Sequence, residues 1–349
     1  MKSYFKAAVL RDINKPIEIL NLAFPKLEKG QVLIKMIYSG ICRSQIMEIT
    51  GGRGVDKWLP HLLGHEGYGE VIDKGFGVSK FKTGDKVVVS WIPGMGLDSP
   101  SPKFISDNGE KINSGTCTTF NEFSIVSENK LHHSPKNLPE KILPLFGCAF
   151  LTGGGMVINT FKNLIQPGKI NVLLIGFGGV GSAAALALTK FEFCTVYLLE
   201  SSPQKREVAE KFKFKKIFET IQDIDSFFET CDFKFDYCFE TAGHVETIEF
   251  GFRSISNKGK LIFASHPVSG ELLKLDPFEF IKGKQIAGTW GGNEDPAEII
   301  IEISNILSRN LHLVDLFIGE IYTLEEINLA IESLSLGVNM KPILSLRSE

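Results

Sequence analysis

The sequence predicts an α/β protein in two parts: an all-β N-terminal domain forming a distorted barrel, and a doubly wound parallel sheet covered by helices on both faces. Three observations carry this reading. Short strands with alternating side chains fill residues 1–90, a strand–glycine–helix–strand unit begins at Asn171, and strands alternate with helical patterns thereafter. At 349 residues the chain exceeds the usual size of a single core, so two domains are expected. The expected division is residues 1–152, residues 153–288, and a return of 289–349 to the first domain.

Composition narrows the classes of function. Hydrophobic residues make up 43% and charged residues 23%, an ordinary globular balance. A net charge of −3 offers neither nucleic acid nor an anionic membrane a basic surface, so neither is an expected partner. Residues Met1 to Leu10 lack the apolar core of a secretory signal, and no apolar run approaches the ~20 residues of a membrane span, so a cytoplasmic protein is expected. The six cysteines show no close pairing, which suggests free thiols or metal ligands rather than disulfides.

In the first part, strands are expected over residues 6–10, 17–21, 32–38, 67–74 and 86–91, separated by Gly-Asp and Lys-Gly turns. Two loops stand out: Gly40-Ile-Cys42-Arg43-Ser44-Gln45 and Leu63-Gly64-His65-Glu66-Gly67. A thiolate, an imidazole and a carboxylate at loop positions beside glycines offer a metal shell, and Cys148, among small residues further on, offers a third ligand. Residues 91–120, rich in Gly, Pro, Ser and Asp and without periodicity, read as a long functional loop. Lys103 and Lys111 on it are either contacts for an anionic or sugar-like substrate or simply solvated. Residues 120–126 return to strand.

The stretch Asn171-Val-Leu-Leu-Ile-Gly176-Phe-Gly178-Gly179-Val180-Gly181 then has the order of a dinucleotide site. Gly176 permits a tight turn out of the strand, Gly178 lets backbone approach a pyrophosphate, and Gly181 lets helix and strand pack closely. Gly179 and Val180 open the helix whose free N–H groups face the phosphates. The next strand, 195–199, ends at Glu200, 24 residues after Gly176, where a carboxylate accepts hydrogen bonds from an adenosine ribose and selects NAD over NADP. Lys205 reaches toward the same ribose, although Lys205 and Arg206 also make a phosphate patch. Ser202-Pro203 starts a helix, and strands are expected at 235–240 and 260–264. Beyond an extended segment at 285–292, Asp295-Pro296-Ala-Glu298 opens an amphipathic helix and Thr323-Leu-Glu-Glu326 forms a capping box for another that stops near Gly337. Residues 342–347 read as a strand returning to the first domain.

With these residues assembled, the chain resembles the zinc-dependent alcohol dehydrogenases of the medium-chain dehydrogenase/reductase superfamily over effectively its whole length. Gly40-Ile-Cys-Arg-Ser, Gly64-His-Glu-Gly-Tyr-Gly, Gly84-Asp-Lys-Val, Phe146-Gly-Cys148-Ala and Gly176-Phe-Gly-Gly-Val-Gly occur in the family's order. The resemblance implies a GroES-like β-barrel catalytic domain and a Rossmann coenzyme domain that binds NAD. It implies a catalytic zinc held by Cys42, His65 and Cys148, with Glu66 beside it as an occasional ligand or a neighbour of the ligands. It further implies that Ser44 relays the substrate proton, Arg43 contacts the pyrophosphate, Thr152 stands beside the nicotinamide, and Trp91 joins Ser44 in lining the substrate pocket.

Three departures modify that picture. Many relatives hold a structural zinc with four closely spaced cysteines, but residues 91–120 contain only Cys117, so one zinc per chain is expected and Cys117 is a bystander. Met47 occupies the place of a relay histidine, and a thioether cannot pass on a proton, so the proton is expected to leave Ser44 through the cofactor ribose to water. Gln45 replaces an aspartate beside the histidine ligand, which should leave the zinc somewhat more electrophilic. The resulting expectation is an NAD-dependent alcohol or polyol dehydrogenase acting on a small alcohol or carbonyl substrate, working as a homodimer or homotetramer joined through 285–292. A zinc-free quinone or enone reductase on the same scaffold is disfavoured by the three metal ligands together. A non-catalytic nicotinamide-binding protein gains slight support from Met47 and Gln45.

Overall fold

Strand β1 (Tyr4–Leu10) shows why the N-terminal strands are apolar on both faces: Phe5, Ala7 and Val9 enter one core while Ala8 and Leu10 enter another. The computed structural model describes residues 3–165, 168–230, 233–293 and 295–347. β1 pairs antiparallel with β2 (Glu18–Ala23), and β3 (Gln31–Gly40) divides its side chains the same way, Leu33 into the first core and Val32, Ile34 and Met36 into the second. The segment read as a loop after Gly40 instead forms helix α1 (Arg43–Ile49), so the first of the two predicted loops is corrected. Seven residues span too few turns to show a helical period in sequence. Strand β4 (His61–Leu62) joins β1 to close a three-stranded sheet ordered β2-β1-β4. β5 (Glu66–Lys74) and β6 (Lys86–Ser90) extend the sheet of β3.

Residues 91–120 are also corrected: they hold a hairpin of β7 (Phe104–Ile105) and β8 (Lys111–Ile112) whose Phe104 and Ile112 are buried in the first core. Lys103, just before β7, and Lys111, the first residue of β8, both lie exposed. Two-residue strands leave no alternation to read. β9 (Phe123–Ser127) pairs with β3 and β10 (Leu131–His133) with β6. Between these strands the carboxylate of Glu128, 1% exposed, accepts N–H bonds from Ser79 and Lys80 at 2.7 Å and from Leu97 at 2.9 Å. Burial alone would raise the Glu128 pKa, but these donors and the Lys80 charge outweigh it and hold it below the usual carboxylate range. A Glu128→Gln variant is expected to lose about 2 kcal/mol at neutral pH, because a charged acceptor of buried N–H groups is replaced by a neutral amide that turns an NH2 toward one of them. Since the folded pKa is depressed, that contribution is present above the unfolded value of about 4.3 and is lost as pH falls through the folded one. Urea midpoints of both proteins should therefore differ at pH 7 and converge in acid.

The second set of strands follows α2 (Gly155–Phe161). β11 (Ile170–Ile175) leads through the glycine turn to α3 (Gly179–Leu188), then β12 (Cys194–Leu199), α4 (Pro203–Ala209), β13 (Lys216–Phe218) and α5 (Ile221–Thr230). β14 (Phe235–Glu240), α6 (Val245–Ser254), β15 (Ile255–Phe263), α7 (Pro277–Ile281) and β16 (Gln285–Gly288) complete the series. β15 begins before the expected Lys260, with Ile255 already opposite Phe235 across an irregular step. All six strands are parallel in the order β13-β12-β11-β14-β15-β16, the doubly wound order in which a ligand crevice opens between β11 and β14. The fold class read from the sequence is thus the one observed.

The chain returns through α8 (Pro296–Arg309), β17 (Ile321–Thr323), α9 (Ile327–Ser335) and β18 (Ile343–Ser345). β18 pairs antiparallel with β3 and parallel with β17, giving the order β10-β6-β5-β3-β18-β17 with β9 also on β3. The expected capping box at Thr323 is corrected: Glu326 accepts from both the N–H and the hydroxyl of Thr323, and the helix starts only after it. Residues 1–148, 295–304 and 317–349 make one unit, and residues 149–294 and 305–316 a second. Among the described residues no single helix is long and apolar enough to cross a membrane. The apolar stretches 140–147 and 150–161 match only in combination, and both are largely buried.

Candidate active site

Cys42 stands where β3 gives way to α1. It is extended (φ −110°, ψ 149°) and caps the helix, while Ile41 before it donates its N–H to Pro342 O at 3.0 Å. Gln45, 1% exposed in the first turn, accepts the Cys42 N–H through Oε1 at 3.1 Å and turns the other end of its amide to His65 Nδ1. With its Oε1 already accepting from Cys42, Gln45 meets His65 through the donor end of its amide. His65 immediately precedes β5, and its carbonyl accepts the Trp91 N–H at 3.1 Å. Cys148 follows a 3-10 stretch, Glu140–Gly147, fixed by the Ser90 hydroxyl donating to Gly147 O at 2.7 Å.

These anchors converge. One ligand atom each from Cys42, His65 and Cys148 lies within 4.8 Å of the others, the one such grouping of three or more among the described residues. His65 Nε2 is buried and has no hydrogen-bond partner, which a buried ring nitrogen rarely tolerates unless something else engages it. The Cys148 thiol donates to the Cys42 sulfur and, with Lys341 and His65 nearby, holds Cys42 well below the ordinary thiol range despite its burial. Two sulfurs and an unpaired imidazole nitrogen facing one another suit an N/S-binding tetrahedral ion such as zinc, with one position left over. Cys117 is a different kind of cysteine: burial pushes its thiol up to about 12.

Glu66 lies outside this triplet. Its carboxylate, fully buried, pairs with the buried ammonium of Lys341, and a Cβ on Gly40 would come within 2.8 Å of Glu66 Oε1, so the carboxylate needs a glycine above it. Lys341 has no mark in the sequence, since a lysine before proline in a turn is normally solvated. Ser44 and Met47 share α1; the Ser44 hydroxyl is buried without a hydrogen-bond partner, and Arg43 beside it is exposed. Trp91 is half-buried against the second core, and its carbonyl accepts from the buried Lys130 ammonium at 2.8 Å, another anchor the sequence does not announce.

The second unit carries the other predicted residues. Gly176 has φ +87°, the turn conformation glycine adopts without strain, and a Cβ on Gly181 would stand 2.1 Å from Gly176 O, so helix and strand touch there. A Cβ on Gly178 would meet nothing within 4 Å, leaving open space over the start of α3, where Gly179 and Val180 form the first turn. Glu200, 6% exposed, is fixed by accepting N–H bonds from Phe177 at 2.6 Å and Ser202 at 2.8 Å. Lys205 lies in the first turn of α4, its N–H donating to the Ser202 hydroxyl. Thr152 belongs to a π-helical turn, Phe150–Gly154, packed on α3, and its hydroxyl too is buried without a hydrogen-bond partner. An open cradle over a helix start with an ordered carboxylate nearby suits a dinucleotide.

Comparison with known proteins agrees with both halves. Residues 28–136 match the alcohol dehydrogenase GroES-like domain family, and residues 179–308 match the zinc-binding dehydrogenase family. S-(hydroxymethyl)glutathione dehydrogenase of Escherichia coli is 26% identical, covering 99% of this chain and 100% of that protein. Among solved structures, an alcohol dehydrogenase zinc-binding domain protein from Burkholderia ambifaria superposes with a TM-score of 0.88 at 23% identity. Benzyl alcohol dehydrogenase from Acinetobacter calcoaceticus gives 0.86 at 22%. Each comparison covers 99% of both chains. The chain belongs to the zinc-dependent alcohol dehydrogenases of the medium-chain dehydrogenase/reductase superfamily, and is an NAD(H)-linked oxidoreductase that interconverts alcohols and carbonyl compounds.

Proposed function

We propose that Cys42, His65 and Cys148 hold the one zinc of each chain and that the protein oxidises a small alcohol or polyol with NAD, or reduces the matching aldehyde or ketone. The observation that carries this reading is the triplet within 4.8 Å whose His65 Nε2 has no partner. Zinc bound there supplies a positive charge that polarises a substrate oxygen while nicotinamide exchanges the hydride. The chain does the rest. Gln45 orients His65, Trp91 and Ser44 line the substrate pocket, and the buried Ser44 hydroxyl, which has no competing partner, accepts the substrate proton as it passes its own on toward water. Met47, three residues along the same helix, ends that relay within the protein.

In the coenzyme unit, Gly176, Gly178, Gly179, Val180 and Gly181 form the pyrophosphate cradle, with Arg43 as a further phosphate contact. Glu200 and Lys205 bind the adenosine ribose and favour NAD, and Thr152 contacts the nicotinamide. β16 ends its sheet with Ile286 and Ala287 only half-buried, while Phe278 before it and Trp290 after it in the chain are exposed, which favours a homodimer, or a tetramer of two such dimers, joined along that edge. The described cysteines are all free thiols, in keeping with work in the cytoplasm.

The test is nicotinamide reduction across primary alcohols, secondary alcohols, polyols and sugar alcohols with NAD and with NADP, for the wild type and Ser44→Ala. Turnover with NAD is expected for one class, and Ser44→Ala should lower kcat by about a hundredfold with zinc content unchanged. A wild-type kcat in Ser44→Ala would remove Ser44 from the proton path.

A further inference from the structure

We propose that Lys341 is a positioning residue that keeps the fourth position of the zinc site open by holding Glu66 away from it. The inference rests on the zinc assignment above. Glu66 directly follows His65, its carboxylate packs beneath Gly40 two residues before Cys42, and it feels the charges of Cys42 and His65. Side-chain exposure is 0% for Glu66 and 3% for Lys341, so water solvates neither charge. A carboxylate this deeply buried stays ionised only beside a cation. The Lys341 ammonium pairs with Glu66, and because Glu66 also feels the charges of Cys42 and His65, an ion held by Cys42, His65 and Cys148 would compete for it.

The backbone makes the first choice stick. The Lys341 carbonyl accepts the Gly319 N–H at 2.8 Å, the next carbonyl, of Pro342, accepts the Ile41 N–H at 3.0 Å, and Ile343 lies opposite Gly40 in the β18–β3 ladder. The lysine is thus clamped beside the strand end that delivers Cys42, and its charge meets Glu66 at a fixed place. Charge balance agrees: two thiolates and Glu66 carry three negative charges, which a divalent ion and one ammonium neutralise. Removing the ammonium leaves the ion as the partner of Glu66, and the carboxylate then fills the position a substrate oxygen needs.

The test uses the full-length protein loaded with cobalt(II) in place of zinc, comparing wild type with Lys341→Met, Lys341→Arg and Lys341→Met/Glu66→Gln. Lys341→Met should shift the visible absorption of the cobalt, slow its loss to a chelator by about tenfold, and lower kcat/KM by at least about tenfold. Lys341→Arg should restore all three, and the double variant should return the spectrum and release rate to those of the wild type. Lys341→Gln keeps a donor for Glu66 without the charge and is expected to behave as Lys341→Met does, so a folding failure of the methionine variant leaves the same comparison in place. A cobalt spectrum and release rate in Lys341→Met or Lys341→Gln equal to the wild type would overturn the proposal while leaving the metal site standing. A wild type that takes up no cobalt or zinc would overturn the metal site itself, and the proposal with it.

Discussion

Cys148→Ser is expected to lose bound zinc and about a thousandfold of turnover. A serine hydroxyl occupies nearly the same space but is not ionised at neutral pH, so one of the two sulfur ligands disappears without a large packing change at this 6%-exposed position. A metal acting on a substrate oxygen contributes several kcal/mol of charge stabilisation. At about 1.4 kcal/mol per tenfold in rate, that corresponds to roughly three orders of magnitude. Cys117→Ser is the control. Its thiol, held protonated by burial, lies outside the triplet, and the variant should keep both metal and turnover. Zinc content by atomic absorption, with circular dichroism to establish folding, separates the two cases. A Cys148→Ser protein that retains zinc and rate would remove Cys148 from the site.

For Glu200→Gln, kcat/KM with NAD is expected to fall about tenfold to a hundredfold, and preference should move toward NADP. Glu200 is placed by two backbone N–H groups, from Phe177 in the glycine turn and Ser202 at the start of α4, so its remaining lone pairs keep one direction. Hydrogen bonds to a charged acceptor are worth about 1.5–3 kcal/mol, and the amide keeps the shape while losing the charge. The negative charge also repels a 2′-phosphate, and its loss leaves Lys205 in the first turn of α4, with Arg206 next to it in sequence and paired with Glu219, as the nearby positive charges. Steady-state kinetics with both cofactors decide it. An unchanged ratio of the two specificity constants would show that Glu200 serves the turn and not the ribose.

The sequence was most informative where chemistry and backbone constraint coincide. The glycines after Ile175 are required by φ +87° at Gly176 and by the close approach at Gly181, so the strand–turn–helix is legible without coordinates. The strand returning to the first domain was visible as a short apolar run after Pro342; that it pairs with β3 was not. What escaped were elements too short to carry a period: α1, which turns Cys42 into a helix cap, and the β7–β8 hairpin within residues 91–120. Also hidden were polar groups whose partners come from distant parts of the chain. Lys341 meets Glu66, and Glu128 gathers N–H groups from two loops, but neither the lysine nor the glutamate differs locally from a solvated surface residue. Gln45 was legible as the partner of His65 only because the family motif located it. Its second bond, to the Cys42 N–H, required the helix that the sequence did not show.

The most direct test of the central claim is a metal titration of the chelator-treated wild type, following turnover with NAD and the substrate from the alcohol panel as zinc is added back. The site described here predicts that turnover is lost on chelation and rises linearly to a plateau at one zinc per chain. Turnover that survives complete removal of zinc would contradict it and make Cys42, His65 and Cys148 structural.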